Sequence, residues 1–227
     1  LSLRGLYSSL GYKKYKMSKF EEYDLYSKNK EFLVSDGVIT FTDTSGKLMA
    51  LKPDVTLSII KNSRDEAGVI EKLYYSENVY RASENTGEFK EILQTGLECI
   101  GEIGDRESLE VILLAIKSLS LLSDNYNLAI SDVKIINALV DSLGKEIPKD
   151  EILKAIEEKN QAAIKALLPE DKAAMLIPLT AYYKNCYEAI EAVGKIAPCN
   201  PDVKEGLFEL SSLIEALDKE GFGDKIT

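Results

Sequence analysis

The chain has 227 residues, 45% of them hydrophobic, and this length allows one large domain or a core with a smaller appendage. Its formal net charge is −10, and no dense stripe of Lys and Arg is interleaved with aromatic residues, which argues against a nucleic-acid partner. Histidine is absent, so the usual general base and the commonest metal ligand are missing. We therefore expect no metal site and no nucleophile activated by imidazole.

The sequence also bears on cofactors and location. No phosphate-binding loop of the GxxxxGKS or GxGxxG type occurs, which argues against dinucleotide binding, and we expect no cofactor. No stretch reaches the length of a bilayer-spanning helix, and the start LSLRGLYSSLGYKKYK lacks the features of a secretory signal. The three cysteines, Cys99, Cys186 and Cys199, are widely spaced, which is typical of reduced thiols. We expect a cytoplasmic protein without membrane contacts.

The first sixty residues alternate between helical and strand-like patterns. The stretch LSLRGLYSSLGY predicts an amphipathic helix that ends near Gly11, and YKKYKMSKF predicts a strand. In GVITFTDTSGKLMALKP, β-branched and aromatic residues flank a turn at residues 43–46, a pattern that predicts a hairpin. The stretch DVTLSIIKNS then predicts a helix with Asp54 as its N-cap.

A second hairpin is predicted from KLYYSENVYR and EFKEILQTGLECIG, so we expect a mainly antiparallel sheet with flanking helices. Side chains of the returning strand alternate between two faces, and one face carries Gln94, Gly96 and Glu98, which we expect to be wet. The other face is expected to pack in the core and carries Leu93, Thr95, Leu97 and Cys99. A glycine between an amide and a carboxylate suits the floor of a polar ligand site. A half-exposed strand explains the same pattern, and this stretch alone favours that explanation.

The second half of the chain has helical periodicity. It begins with DRESLEVILLAIKSLSLL, which carries apolar residues at a spacing of three to four and acidic residues in its first turn. Beyond Gly144 the pattern is helical throughout, with prolines between segments. We therefore predict an α+β domain over residues 1–144, followed by an all-helical subdomain over residues 145–227.

Three stretches, taken in order, resemble the core of class II aminoacyl-tRNA synthetases, in the histidyl-tRNA synthetase branch. GYKKYKMSKFEEYDLY resembles the first motif, which builds the dimer interface of the family. GKLMALKPDVTLSII resembles the LRPEGT element, and more closely the LRPDxT form in a paralogous family, the ATP phosphoribosyltransferase regulatory subunits. VYRASENTGEFKEILQTGLECIG resembles the second motif, in which an Arg ends one strand and the next carries QxGxE. The resemblance covers residues 5–140 and implies the class II fold.

The resemblance also implies an amino-acid site. By position, Gln94 and Glu98 would line a histidine pocket, where Glu98 holds an ammonium or imidazole group by a charge-assisted hydrogen bond. Asp54 would receive the ammonium group of the amino acid, with Thr56 beside it, and a simple helix cap is the alternative role for Asp54. Arg81 matches the arginine that grips the α-phosphate of ATP.

Arg81 has an alternative role as well, a structural ion pair with Glu77 on the same face of its strand. Around Arg81 the sequence departs from the synthetase pattern. The form RxE becomes Arg81-Ala82-Ser83, and the basic positions of the following loop become acidic except for Lys90. The acidic replacements are Glu84, Glu88 and Glu91. Acidic residues there would repel both ATP and the acceptor end of tRNA.

Two further departures concern the rest of the family pattern. Lys52 stands where the family has arginine in its LRP element, and no GxGxxR third motif follows. We expect the chain to be part of a longer protein whose remaining strands complete the sheet.

The resemblance implies a non-catalytic regulatory subunit of ATP phosphoribosyltransferase in histidine biosynthesis. Such a subunit forms a homodimer, assembles with a short-form catalytic subunit and takes histidine as its small-molecule effector. A histidine that binds one quaternary state more tightly shifts the assembly toward that state. The alternatives are a catalytic-core fragment of a histidyl-tRNA synthetase that activates histidine with ATP, and a structural partner domain with a vestigial pocket.

Overall fold

The computed structural model describes residues 2–29, 37–63, 66, 68–83, 86–196 and 200–227. Contacts between Cα atoms divide the chain into two compact units, Leu1–Leu121 and Leu122–Thr227. The sequence predicted a boundary after residue 144, and the structure places the division earlier. The helix Val133–Ser142 belongs to the second unit because its apolar face, with Ile135 and Leu139, is buried in the core of that unit.

In the described part of the first unit, the strands form two three-stranded sheets. They are β1 (Lys13–Lys14), β2 (Phe20–Glu22), β3 (Thr40–Thr42), β4 (Leu48–Leu51), β5 (Ile70–Ala82) and β6 (Phe89–Gly101). One sheet has the order β1-β5-β6 and the other the order β2-β4-β3. Among the described strands, only the pairing of β1 with β5 is parallel. The predicted α+β fold with a mainly antiparallel sheet is therefore confirmed.

Helices flank these sheets in the first unit. They are α1 (Leu3–Ser9), α2 (Tyr23–Ser27), α3 (Thr56–Asn62) and α4 (Asp105–Ser120). The chain leaves α1 through Gly11, which has a φ of 84° and is the stop residue that the sequence predicted. The predicted strand YKKYKMSKF is present only at its two ends, as β1 and the first residue of β2.

The turn between β3 and β4 follows from its sequence. The side chain of Asp43 accepts hydrogen bonds from the backbone N–H groups of Ser45 at 2.8 Å and Lys47 at 2.9 Å. Gly46 supplies the positive φ of 86° that the turn requires. This hairpin was predicted and is confirmed.

The hairpin of β5 and β6 provides the surface on which the candidate site is built. Each strand has 13 residues, and their register pairs Glu77 with Gln94, Tyr75 with Gly96, and Leu73 with Glu98. Cross-strand partners share a face of the sheet, so the polar residues of β6 lie beside odd-numbered residues of β5. The acidic loop residue Glu84 lies outside the described residues.

The sequence predicted one packed and one wet face of β6, and the structure partly covers both. Leu97 packs against the cluster that contains Tyr74 and Leu114, as expected. Leu93 was expected in the core, yet 67% of its surface is exposed. Gln94 and Glu98 were expected to be wet, and both are half-buried. The reason is tertiary, because the hydrophobic cluster beneath α3 forms on the face that carries these two residues. That cluster contains Val55, Ile59, Tyr75 and Val79.

The second unit is helical, as the fold prediction required. Its helices are α5 (Val133–Ser142), α6 (Lys149–Glu157), α7 (Gln161–Leu167), α8 (Glu170–Leu176), α9 (Cys186–Gly194) and α10 (Pro201–Lys219). Side chains of Asn160, Asn185 and Asn200 accept hydrogen bonds from the first turns of α7, α9 and α10. None of the helices in the described part of the chain combines the length and the apolarity that crossing a bilayer requires.

Candidate amino-acid binding site

The structure brings the predicted site residues together between the first turn of α3 and one face of the β5–β6 hairpin. Asp54 is buried, and its carboxylate accepts hydrogen bonds from the N–H groups of Thr56 at 2.8 Å and Leu57 at 3.4 Å. It thus caps the first turn of α3 from one residue before the formal N-cap, Val55. The capping role is present in the structure, and a ligand-binding role for Asp54 stays a prediction.

Thr56 and Glu98 connect the helix to the hairpin. The Thr56 hydroxyl donates a hydrogen bond to Oε1 of Glu98 at 2.6 Å. Burial raises the pKa of the Glu98 carboxyl, the bond from Thr56 partly offsets this, and the negative charge of Asp54 raises it further. The neighbouring carboxylates of Asp54 and Glu98 can together accept hydrogen bonds from a cationic or N–H-bearing ligand.

Arg81 and Gln94 form the other end of the cluster. The guanidinium donates from Nε to the carbonyl of Pro53 at 3.0 Å and from Nη2 to Oε1 of Gln94 at 3.3 Å. The alternative ion pair between Arg81 and Glu77 is not formed. Glu77 instead pairs with Nζ of Lys52 at 3.3 Å.

Tyr75 is a member of the cluster that the sequence analysis missed. Its hydroxyl accepts a hydrogen bond from Nε2 of Gln94 at 3.1 Å, and its ring lies over Gly96. The sequence suggested Gly96 as the floor of a polar ligand site, but in the structure the Tyr75 ring fills the space above this glycine. The signal was present in the hairpin, since counting back from the loop pairs Tyr75 with Gly96.

A methyl group at position 96 should be costly for this reason. A Cβ at Gly96 would lie 2.5 Å from the Tyr75 hydroxyl oxygen and 2.6 Å from Cζ, and Tyr75 is buried. We expect Gly96→Ala to lower the free energy of unfolding by about 1–3 kcal/mol, measured by urea denaturation. The double variant Gly96→Ala/Tyr75→Leu should lose less free energy of unfolding than the two single variants lose in sum. Full additivity would show that the ring does not meet position 96.

Lys52, the replacement for the family arginine, is a structural residue here. Its side chain is 1% exposed, and burial lowers the pKa of its ammonium group while Glu77 opposes that shift. The backbone carbonyl of Lys52 also accepts a hydrogen bond from the N–H of Tyr80 at 2.8 Å. Lys52 therefore ties the end of β4 to the middle of β5.

The raised pKa of Glu98 leads to a pH-dependent prediction. The folded protein binds this proton more tightly than the unfolded chain, so ionised Glu98 destabilises the fold above its raised pKa. The cost disappears as the pH falls below the ordinary glutamate range, near about pH 4. We expect Glu98→Gln to raise the urea midpoint at pH 7 and the difference to vanish in acid.

Glu102→Gln is the matched control for this prediction, because it removes an exposed carboxyl just beyond the same strand. It should leave the midpoint unchanged at pH 7. A Glu98→Gln protein that is less stable than the original at pH 7 would contradict the account of a destabilising buried charge.

Comparison with known proteins agrees with this geometry. The mainly antiparallel sheet, with a polar cluster between paired strands and a helix N-terminus, has the fold of class II aminoacyl-tRNA synthetases. The model of the family described as "Histidyl-tRNA synthetase" matches residues 2–226. The chain therefore belongs to the histidyl-tRNA synthetase family.

Two similar curated proteins are ATP phosphoribosyltransferase regulatory subunits of Bacillus cereus. The one from strain ATCC 10987 / NRS 248 is 28% identical over 237 residues, and the one from strain AH187 is 29% identical over 238 residues. Each match covers 99% of this chain and 56% of the relative. The chain thus spans little more than half the length of these relatives.

Solved structures show the same fold. An ATP phosphoribosyltransferase regulatory subunit/histidyl-tRNA synthetase from Bacillus halodurans matches with a TM-score of 0.81 at 24% identity, covering 99% of this chain and 60% of the other. A chain of the ATP phosphoribosyl transferase (HisG:HisZ) complex from Thermotoga maritima matches with a TM-score of 0.72 at 19% identity, covering 99% and 76%.

Proposed function

We propose that the protein containing this chain is a non-catalytic regulatory subunit of ATP phosphoribosyltransferase in histidine biosynthesis, working in the cytoplasm. It would assemble with a short-form catalytic subunit, which needs it for activity. The names of the Bacillus cereus relatives support this role, as does the composition of the site. The observation that carries the proposal is that the carboxylates of Asp54 and Glu98 lie together while Arg81 is engaged by Gln94 and Pro53.

The proposed effector is free histidine. Asp54 would accept a hydrogen bond from the ammonium group, and Glu98 would accept one from a ring N–H, with Thr56 holding Glu98 in place. Gln94 would border the ring. The linkage between effector and assembly requires histidine to bind one quaternary state more tightly than another.

The second candidate function is histidine activation with ATP by a synthetase core, for which the position of Arg81 is the supporting observation. The surrounding charges oppose it, since Glu88 and Glu91 replace basic residues of the family loop. Glu91 is held by hydrogen bonds from Asn78 at 2.6 Å and from the Tyr80 hydroxyl at 2.9 Å.

One experiment separates the two functions. The full-length parent protein is tested for histidine-dependent exchange of pyrophosphate into ATP, with a histidyl-tRNA synthetase as the positive control. A regulatory subunit should give no exchange while binding histidine in calorimetry. Exchange at the rate of the control would favour the synthetase, and no binding of histidine would favour a structural domain with a vestigial pocket.

We also propose that the parent protein forms a homodimer through the first-motif segment, near residues 5–25. Phe20 in this segment is 48% exposed, and its ring packs edge to face on that of Phe41, with 5.3 Å between the ring centroids. The sheet of β2, β4 and β3 therefore presents exposed apolar surface. Sedimentation at tens of micromolar should give a dimer mass, and Phe20→Ser should weaken the dimer. Phe208→Ser, which removes an exposed phenylalanine from the second unit, is the control. A strictly monomeric parent protein would contradict this proposal.

A further inference from the structure

Arg81 spans the two segments that carry the site. Its Nε donates to the carbonyl of Pro53, which is buried and directly precedes Asp54. Its Nη2 donates to Gln94, in the middle of β6. A guanidinium presents donors in fixed directions, so these two bonds set the spacing between the turn before α3 and the hairpin.

Gln94 is held at both ends of its amide. Its oxygen accepts from Arg81, and its nitrogen donates to the Tyr75 hydroxyl. Arginine has only donors, so a rotated amide would turn its own N–H groups against the guanidinium. Arg81 therefore selects one of the two orientations of the Gln94 amide.

The orientation of Gln94 decides what the Tyr75 hydroxyl offers. This hydroxyl accepts from Gln94, so its own proton is left for another acceptor. A tyrosine hydroxyl is protonated at neutral pH, and burial raises the pKa of Tyr75 further, while the neighbouring side chains of Gln94 and Thr56 oppose that shift. The ring lies over Gly96, between Gln94 and Glu98 on the neighbouring strand, so this donor lies within the site.

We infer that Arg81 is a positioning residue, which fixes the Gln94 amide and thereby makes the Tyr75 hydroxyl a hydrogen-bond donor to the ligand. This inference rests on the proposed function of the site. With Arg81 in place, the site offers a carboxylate acceptor at Glu98 and a neutral donor at Tyr75. A neutral imidazole matches that pair, since one ring nitrogen carries a proton and the other accepts one.

The inference predicts that Arg81 and Tyr75 act through one chain of hydrogen bonds. Calorimetry on the full-length parent protein, with histidine as the probe, compares Arg81→Met, Tyr75→Phe and the double variant. We expect Tyr75→Phe to weaken binding by about threefold to tenfold and Arg81→Met by a similar factor. The double variant should bind no more weakly than the weaker single variant, because the second change removes a bond already lost.

Histidinol, which lacks the carboxylate, serves as the second probe. If Arg81 acts through Gln94, Arg81→Met should weaken histidinol and histidine by the same factor. Lys90→Met is the matched control, since Lys90 is the cross-strand partner of Arg81 and its loss removes the same charge. It should leave both affinities unchanged. If Arg81→Met fails to fold by circular dichroism, Arg81→Lys replaces it, because an ammonium group cannot reproduce the fork.

The outcomes separate this inference from the proposed function. Losses that add in the double variant would overturn the inference, as would a loss for histidine without one for histidinol, which places Arg81 on the ligand carboxylate. Either result would leave histidine as the proposed effector of the original protein. A parent protein that binds no histidine at all would overturn the proposed effector and the inference together.

Discussion

Replacing Glu77 with leucine should lower the free energy of unfolding by about 3–5 kcal/mol, because it leaves the buried charge of Lys52 without a partner. The Lys52 side chain is 1% exposed, while that of Glu77 is 21% exposed. Lys52→Met should cost less, since the Glu77 carboxylate that remains can still reach water. Urea denaturation followed by circular dichroism measures both.

Two controls sharpen this prediction. The double variant Lys52→Met/Glu77→Leu removes both charges, so it should recover most of the loss. Glu110→Leu breaks a second partly buried pair of the first unit. Its partner Lys72 is 27% exposed and stays in contact with water, so the loss should be about 1 kcal/mol or less. If Glu77→Leu and Glu110→Leu cost the same, burial of Lys52 does not set the energy of its pair.

Loss of histidine binding is the second large effect that we expect. In the full-length parent protein, Glu98→Gln should weaken histidine by about tenfold to a hundredfold, since a hydrogen bond to a charged group contributes about 1.5–3 kcal/mol. The same substitution should not destabilise the fold at neutral pH, because it removes a carboxyl whose pKa is raised by burial. Binding and stability should therefore change in opposite directions.

Asp54→Asn tests the second carboxylate. Asparagine still accepts hydrogen bonds from the first turn of α3, so stability should survive while the attraction for an ammonium group is lost. Calorimetry with histidine measures the affinity, with Glu102→Gln as the control. Unchanged affinity in both Asp54→Asn and Glu98→Gln would show that these side chains serve only the cap and the sheet.

The sequence was sufficient to predict which side chains of the candidate site lie together, because these residues belong to rigid local elements. Thr56 lies in the first turn of a helix, and Gln94 and Glu98 lie two pleats apart on a strand with a defined hairpin register. Distances within a helical turn or along a paired strand are fixed by local geometry. Motifs on such elements therefore predict which side chains lie close together. The capping role of Asp54 also follows from its position before that helix.

Other features depend on tertiary packing and were not accessible in this way. Periodicity shows that β6 has two faces, but tertiary packing decides how far each face is covered. One cluster covers Leu97 and leaves Leu93 on the same face exposed, while the cluster beneath α3 covers the other face. A lysine beside a proline at a strand end is normally expected to be exposed. The burial of Lys52 depends on its ion pair with Glu77, which only the tertiary structure shows. The hairpin register pairs Tyr75 with Gly96, but only the structure shows that the Tyr75 ring lies over this glycine.

Reconstitution of the transferase determines whether the protein that contains this chain is regulatory rather than catalytic. The rate of a short-form ATP phosphoribosyltransferase from the same source is measured alone and with the full-length parent protein, across a range of histidine concentrations. We predict little activity for the catalytic subunit alone, full activity when the parent protein is added, and inhibition of the pair by histidine. A catalytic subunit that is equally active and equally histidine-sensitive without the parent protein would contradict the regulatory role.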